Sequence, residues 1–167
     1  QEKGLDFLQK SQSIRKSAEG QYAIGLNYRS SGQVSLSIPY FEEALSLKRH
    51  FAPAQHDMAL AYTKLGDPAK AESFFKATLV SDPYFARAYY NYGTFLTERS
   101  QMLHAKKMFE RAVEINPNYA QAYFALLSLA LNEKDSETAW DYFFRLSEVD
   151  RQGDLIKQAK ELFSEHL

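Results

Sequence analysis

Apolar side chains recur along the chain every three or four residues, in segments separated by short polar stretches. This spacing places the apolar residues on one face of an α-helix, so the pattern predicts a chain of short amphipathic helices. The sequence Gly66-Asp67-Pro68 is typical of a tight turn between two of them. Glycine can adopt the left-handed conformation that ends a helix, Asp67 can cap the next helix, and Pro68 fits its first position, where no donor is needed.

The pattern returns every 34 residues, which identifies it as an internal repeat. A phenylalanine recurs at this interval, at Phe41, Phe75, Phe109 and Phe143. Four positions before each phenylalanine stands a small residue, at Ser37, Ala71, Ala105 and Ala139. A second series runs through Gly25, Ala59, Gly93 and Leu127, and a third through Pro83 and Pro117. The interval predicts four helical pairs, at residues 18–51, 52–85, 86–119 and 120–153.

The segments that flank the repeats are also predicted to be helical. Residues 1–17 form an N-terminal flanking helix in this interpretation, with the apolar residues Leu5, Phe7, Leu8 and Ile14. Residues 154–167 form a C-terminal capping helix, because their apolar side chains fall on one stripe and their charged side chains lie away from it. We expect that stripe to cover the fourth repeat.

Several residues depart from the repeat pattern, among them Arg49 and Arg151, which stand where the series of Pro83 and Pro117 predicts proline. Pro39 falls within the second predicted helix of the first repeat, where a proline costs ~3 kcal/mol. We therefore expect that helix to start late, with Ser35 or Ser37 as its cap, or to kink at Pro39. Leu127 and Leu146 replace small residues in the fourth repeat, so we expect its helices to pack more widely.

These positions resemble the tetratricopeptide repeat family. Its pattern is a large residue, a hydrophobic and small pair, an aromatic residue, then alanine with an aromatic four positions later, then proline. The second repeat matches it with Met58-Ala59, Tyr62, Ala71, Phe75 and Pro83, and the third with Tyr89, Tyr92-Gly93, Leu96, Ala105, Phe109 and Pro117. The resemblance implies an all-α fold, a right-handed superhelical solenoid in which the first helices of successive repeats line a concave groove.

The resemblance also indicates candidate binding residues, because matching positions of the first helices form rows across the groove. One row is Tyr22, His56, Tyr90 and Phe124, and the row one turn further on includes Leu26 and Leu60. Aromatic rings in a groove suit the insertion of apolar side chains from a peptide or helix. We expect Tyr22 to be covered by the N-terminal segment and Tyr90 to be exposed. The alternative is that these rings only fill the inner side of the superhelix.

Family members that clamp the carboxylate of a chaperone tail place Lys and Asn one turn apart in the first repeat. This chain has Tyr22 and Leu26 there, which argues against a carboxylate clamp. Arg87 and Asn91 in the third repeat keep part of such a site, and Asn91 can bond to a peptide amide or within its own helix pair. Trp140 is expected to be buried under the terminal helix; exposure would indicate a second contact surface.

Composition narrows the possible chemistry. The chain has no cysteine, which excludes thiol catalysis and zinc–thiolate or iron–sulfur sites. A net charge of -1 argues against a nucleic-acid partner. The four histidines fall in no metal-ligand spacing, and no phosphate loop or nucleophile elbow is present. We therefore predict no enzymatic activity, metal, cofactor or small-molecule substrate.

The favoured hypothesis is a non-catalytic protein–protein interaction module that holds a peptide or amphipathic helix of a partner for assembly or scaffolding. Its predicted binding residues are Tyr22, Leu26, His56, Leu60, Arg87, Tyr90, Asn91 and Phe124. The alternatives are a self-associating structural protein, giving a homo-oligomer, and, third, the regulatory arm of an enzyme.

A more specific similarity concerns cellular location. The string of residues 91–96, NYGTFL, resembles one in the tetratricopeptide lipoproteins that assist type IV pilus assembly. This favours the bacterial cell envelope or periplasm, with the cytoplasm as the alternative. Because the first residue is Gln, we expect that an export signal or lipid anchor has been removed, and membrane association would depend on that anchor.

Overall fold

A computed structural model describes residues 17–166, and the predicted helix at 1–17 lies almost wholly outside them. This part of the chain contains nine α-helices and no strand, so the all-α helical-repeat fold is confirmed. We number the helices in chain order: α1 Ala18–Ser30, α2 Val34–Leu47, α3 Ala52–Leu65, α4 Pro68–Ser81, α5 Ala86–Glu98, α6 Met102–Ile115, α7 Ala120–Asn132, α8 Ser136–Val149 and α9 Asp154–His166.

The helices form two compact units, one ending at Pro83 and the other beginning at Tyr84. In the first unit, α1 packs on α2 and α3 packs on α4, and α2 and α3 join the two pairs. In the second unit, α5 and α6 form one pair and α7 and α8 another, joined by contacts between α6 and α7. The last helix, α9, packs on both α7 and α8.

The turn inside each helix pair contains one residue in the left-handed region. These residues are spaced 34 apart: Gly32 (φ 82°), Gly66 (φ 75°), Ser100 (φ 59°) and Lys134 (φ 58°). The predicted chemistry of the second turn is confirmed, because Asp67 accepts a hydrogen bond from the Lys70 backbone N–H at 3.1 Å and Pro68 begins α4. Glycine adopts this conformation without a Cβ penalty, so the two later turns carry a local strain that the first two do not.

Two glycines allow the first and second helices of a pair to approach closely. A Cβ atom on Gly93 would lie 2.6 Å from Cε1 of Phe109, and a Cβ on Gly25 would lie 2.6 Å from Cε1 of Phe41. Both phenylalanine rings are buried. In these two pairs, the phenylalanine on the second helix therefore fills the space that the glycine on the first helix leaves open.

We predict that Gly93→Ala destabilises the second unit by ~1 kcal/mol, because forcing a methyl group against the buried Phe109 ring outweighs the gain in helix propensity. Urea denaturation of the wild type and the variant measures this difference. Gly66→Ala is a control of another kind: nothing lies within 4 Å of its Cβ, so any loss there comes from the positive φ alone. A Gly93→Ala protein more stable than the wild type would show that Phe109 moves aside freely.

The fourth repeat packs differently from the others. Leu127 is fully buried at the position held by Gly25 and Gly93, and the phenylalanine of this repeat, Phe143, is only partly buried. Phe143 instead lies edge-on to Phe163 of α9, with 5.0 Å between the ring centroids. The fourth repeat thus differs in two ways: it has the larger Leu127 in its first helix, and its core includes residues of α9.

The prediction that the second helix of the first repeat starts late is wrong. Helix α2 begins at Val34, in register with the starts of α4, α6 and α8, and continues through Pro39 to Leu47. Neither Ser35 nor Ser37 caps it, and the Ser37 hydroxyl donates instead to the Val34 carbonyl at 2.6 Å. The helix tolerates Pro39 because Pro39 and Ser35 are both exposed, so the carbonyl that loses its amide partner can bond to water.

Candidate partner-binding faces

The first unit carries a buried acidic residue at its centre. Asp57 on α3 is only 4% exposed, and the Tyr22 hydroxyl on α1 donates to its Oδ2 at 2.7 Å. The Arg29 guanidinium, also on α1, lies 3.3 Å from Oδ1, and the His56 Nδ1 lies 3.5 Å from the same oxygen. We call these four residues the Asp57 cluster. It joins α1 to α3 through side chains that are 28 and 35 positions from Asp57 in sequence.

The environment of the cluster keeps Asp57 ionised. Burial raises the pKa of this carboxyl, but hydrogen bonds from His56 and Tyr22 and the charge of Arg29 together lower the pKa below its ordinary value of 3.8. With a neighbouring cation and two hydrogen-bond donors, the buried carboxylate has its charge and its hydrogen-bonding capacity compensated within the protein. The Asp57 cluster therefore has a structural role, which is to hold α1 and α3 of the first unit together.

The predicted binding residues of the first unit have unequal access to a partner. His56 is 3% exposed and lies edge-on to Phe75, so its side chain departs from the predicted row and belongs to the interior. Tyr22 is partly buried, and its ring lies edge-on to Phe51 with 5.3 Å between centroids. Leu26 and Leu60 are also partly buried. Of the four predicted residues of this unit, Tyr22, Leu26 and Leu60 therefore stay partly accessible, and His56 does not.

The second unit carries a set of aromatic side chains with a cation beside them. The Tyr90 ring on α5 lies 5.1 Å from the Tyr119 ring and 5.7 Å from the buried Phe109 ring. Tyr90 and Tyr119 are both partly exposed, and Arg87, one turn before Tyr90, is exposed. We call Arg87, Tyr90, Asn91 and Tyr119 the aromatic shelf. It offers ring surface, hydroxyl groups and one guanidinium to a ligand.

The charge state of the shelf at neutral pH follows from its surroundings. Burial raises the pKa of Tyr119, and the neighbouring Tyr90 adds to the effect, while the positive charge of Arg87 opposes it. Tyr119 therefore stays a neutral hydrogen-bond donor across the physiological range. The Arg87 guanidinium also lies over the Phe85 ring, 5.8 Å from its centroid. This contact positions the cation at the edge of the shelf.

The structure distributes the other predicted residues of this unit between the shelf and the core. Asn91 is partly buried on α5, beside Tyr90. Phe124 is partly buried on α7 and packs against the core cluster that contains Leu127 and Phe163. Its place in that cluster gives Phe124 a packing role that the row pattern did not anticipate.

An aromatic series that the repeat pattern did not single out contributes to both faces. Phe51, Phe85 and Tyr119 are 34 residues apart and immediately precede α3, α5 and α7. Phe51 contacts Tyr22, and Tyr119 contacts Tyr90. In each case both rings belong to the same 34-residue repeat. The regular interval was a signal that could have identified them. For Asp57 the only signal was a charged residue in a row otherwise made of Ala23, Asn91 and Ala125.

The expected burial of Trp140 is wrong. Its side chain is 52% exposed, although its ring contacts Phe163 with 4.6 Å between centroids. Helix α9 supports one side of the indole and leaves the rest open to solvent. The physical reason is that Phe163 and Ile156 of α9 fill the core next to Leu127 and Leu146, and Trp140 lies at the edge of that contact.

The arrangement of ionisable side chains and the lengths of the helices bear on possible metal binding and membrane insertion. Within residues 17–166, no three His, Asp or Glu side chains come together in an arrangement that could hold a metal ion. None of the nine helices described is both long enough and apolar enough to span a bilayer.

Two family models match the chain. Residues 55–162 match the one described as the cilia and flagella-associated protein 70 middle TPR-like domain, and residues 18–51 match a tetratricopeptide repeat model. No match was found among curated proteins.

Solved structures with the same fold share little sequence with the chain. PilF of Pseudomonas aeruginosa is 21% identical, with a TM-score of 0.75 over 95% of this chain and 78% of that one. YrrB, described as a TPR protein with an unusual peptide-binding site, is 21% identical, with a TM-score of 0.74 over 95% and 82% of the two chains. MamA of Desulfovibrio magneticus RS-1 is 22% identical, with a TM-score of 0.70 over 82% and 77%. At these identities the likeness shows a shared fold.

Proposed function

Because the chain belongs to the tetratricopeptide repeat family, we propose that it is a non-catalytic interaction module that binds a peptide or an amphipathic helix of another protein. The observation that carries the proposal is the aromatic shelf, where Tyr90 and Tyr119 are held together yet remain partly exposed. YrrB, which shares the fold, is described as having a peptide-binding site, and this supports the same class of ligand here.

The shelf has the properties of an interface anchor. Tyrosine rings offer large contact areas at low cost in side-chain entropy. The contact between Tyr90 and Tyr119 restricts both rings, and contact with Phe109 further restricts Tyr90. Apolar ligand side chains can pack on the rings, while the exposed Arg87 guanidinium offers hydrogen-bond donors to a backbone carbonyl or a carboxylate. The ligand that fits is a segment with one or two apolar side chains and a nearby backbone or acidic acceptor.

Substitution of the shelf tests the proposal. Tyr90→Ala is expected to weaken binding of the partner by about 1–3 kcal/mol, the range typical of interface anchors. The partner is first identified by affinity capture and mass spectrometry, and then titrated against each variant by calorimetry. Lys107→Glu is the matched control, because Lys107 is exposed on α6 and outside the shelf. Circular dichroism verifies that both variants stay folded.

Salt dependence gives the second measurement. Burial of aromatic surface is insensitive to ionic strength, and one exposed ion pair at Arg87 would add at most about 1 kcal/mol, so we expect the affinity to change little between low and high salt. If Lys107→Glu abolishes binding and Tyr90→Ala leaves it intact, the binding face lies elsewhere and the proposal fails. A protein that captures only copies of itself, and forms dimers in light scattering, would favour the self-associating alternative. Capture of an enzyme whose activity changes would favour a regulatory arm.

The setting of this function in a bacterial envelope complex, such as the type IV pilus machinery, is part of the same proposal. It is supported by the resemblance of residues 91–96 and by the fold shared with PilF. Packing also accounts for four of those six residues, since Tyr92, Gly93, Phe95 and Leu96 are all buried. Fractionation of the source cells with a specific antibody tests the location: recovery in the envelope fraction supports it, and recovery in the cytosol contradicts it.

A further inference from the structure

An exposed aromatic pair lies on α8, in a part of the second unit that the aromatic shelf does not include. Trp140 and Phe144 are 52% and 58% exposed. They are four residues apart on one helix, so their side chains are neighbours on one face. Exposed apolar side chains that adjoin on one helix face mark protein interaction sites more often than single exposed ones do.

The Trp140 ring packs against two other aromatic rings of the second unit. Its ring centroid lies 4.6 Å from that of Phe163 on α9 and 5.6 Å from that of Phe143, which lies nearly perpendicular to it. A ring fixed on one side loses little conformational freedom when a ligand covers the other side. The indole is therefore preorganised as a contact surface.

The charges around the pair are acidic. Glu137 lies one turn before Trp140 and Asp141 one turn before Phe144, and both are exposed. Arg145 and Glu148 of the same helix form an ion pair at 3.7 Å. The other charges of α8 are those of Glu137 and Asp141, which a ligand with Lys or Arg side chains would complement.

We propose that the Trp140–Phe144 face is a second docking surface, which binds a basic amphipathic helix of another protein. Apolar side chains of that helix pack on the two rings, and its basic side chains lie against Glu137 and Asp141. Spacing by one helical turn in the receptor matches the spacing of apolar anchors on such a helix. This surface is independent of the aromatic shelf.

The test uses a property of the sequence: Trp140 is the one tryptophan of the chain, so its fluorescence reports on this face alone. The probe is a synthetic helical peptide of about 18 residues, made of leucine along one face and lysine elsewhere. A second peptide carries glutamate in place of lysine. We expect the lysine peptide to shift the emission of Trp140 to shorter wavelengths and to bind at least ~10-fold more tightly than the glutamate peptide.

Variants separate this face from other surfaces. Phe144→Ser should weaken binding of the lysine peptide ~10-fold. The double variant Glu137→Gln and Asp141→Asn should weaken it and reduce its salt dependence. Leu103→Ser is the matched control, because Leu103 is an apolar residue 64% exposed on α6 of the same unit, and it should leave the affinity unchanged.

Several results would overturn the proposal. One is equal binding of the two peptides, and another is unchanged affinity in Phe144→Ser. Loss of peptide binding in Tyr90→Ala but not in Phe144→Ser would place the peptide on the aromatic shelf instead. A dimer of the wild type in light scattering that Phe144→Ser dissolves would make a second copy the occupant. Retention of peptide binding by Tyr90→Ala supports a separate surface, whatever the fate of the shelf proposal.

Discussion

Truncation of the chain after Gly153 is expected to unfold or aggregate the second unit. The truncation removes α9, whose residues Ile156, Ala159 and Phe163 are buried against α7 and α8. Loss of one buried phenylalanine side chain alone costs ~3–5 kcal/mol, and the whole helix contributes more. Because domains are stable by only about 5–15 kcal/mol, we expect a fall in melting temperature of at least ~10 °C or visible aggregation. Circular dichroism melts with light scattering measure both.

A point variant tests the same contact without shortening the chain. Phe163→Ala should lower the stability by ~3–4 kcal/mol and shift the emission of Trp140 to longer wavelengths, because the indole loses its support. Lys160→Ala is the control, since Lys160 is an exposed residue on the same helix and its loss should leave the melting curve unchanged. An unaltered melting curve for the truncated protein would mean that α9 does not cap the fourth repeat.

Replacement of Asp57 by alanine is expected to destabilise the first unit by ~2–4 kcal/mol. The change leaves the Arg29 guanidinium and the Tyr22 hydroxyl without their buried acceptor, and such unpaired groups are costly. Tyr22→Phe removes one hydrogen bond and should cost only ~1 kcal/mol. Urea denaturation at neutral pH measures both. Asp141→Ala is the matched control, because Asp141 is exposed and outside the cluster.

The Asp57 cluster also makes a prediction about pH. Since the folded protein holds the pKa of Asp57 below 3.8, its ionised form stabilises the fold at higher pH, and that stabilisation declines as the pH falls below 3.8. Asp57→Asn lacks this group. The stability difference between wild type and Asp57→Asn should therefore be constant near neutral pH and shrink below 3.8. A difference that grows on acidification would contradict the assignment.

Much of the fold could be predicted from the sequence because repeats make the same local choices several times. The 34-residue interval of phenylalanines identified the helix pairs, and the residues of the turn at Gly66 determined its geometry directly. Where local rules conflicted with packing, packing prevailed. Pro39 did not delay α2, which begins at the buried Val34 in register with the second helices of the other repeats.

The binding faces were harder to predict because they depend on contacts between distant residues. Asp57 contacts Arg29 and Tyr22 only after α1 and α3 pack, and no local sequence pattern predicts that contact. Trp140 was expected to be buried because large rings usually are, but the path of α9 leaves one side of it open. A row pattern indicates which residues share a face; it does not determine how deep each one lies.

Because Tyr90 contacts Tyr119, the aromatic shelf belongs to one continuous segment of the chain that could be transferred to another repeat protein. All its members, Arg87, Tyr90, Asn91 and Tyr119, fall within residues 86–119, which is one complete period. Because each repeat contacts mainly its neighbours, this segment, extended by Phe85 so that Arg87 keeps its ring contact, could be grafted as a single cassette into an unrelated array of repeats. A graft cut after Ile115, where α6 ends, would leave Tyr119 behind and transfer an incomplete recognition surface. The boundary for transplantation therefore follows the aromatic contact and lies beyond the end of the helix.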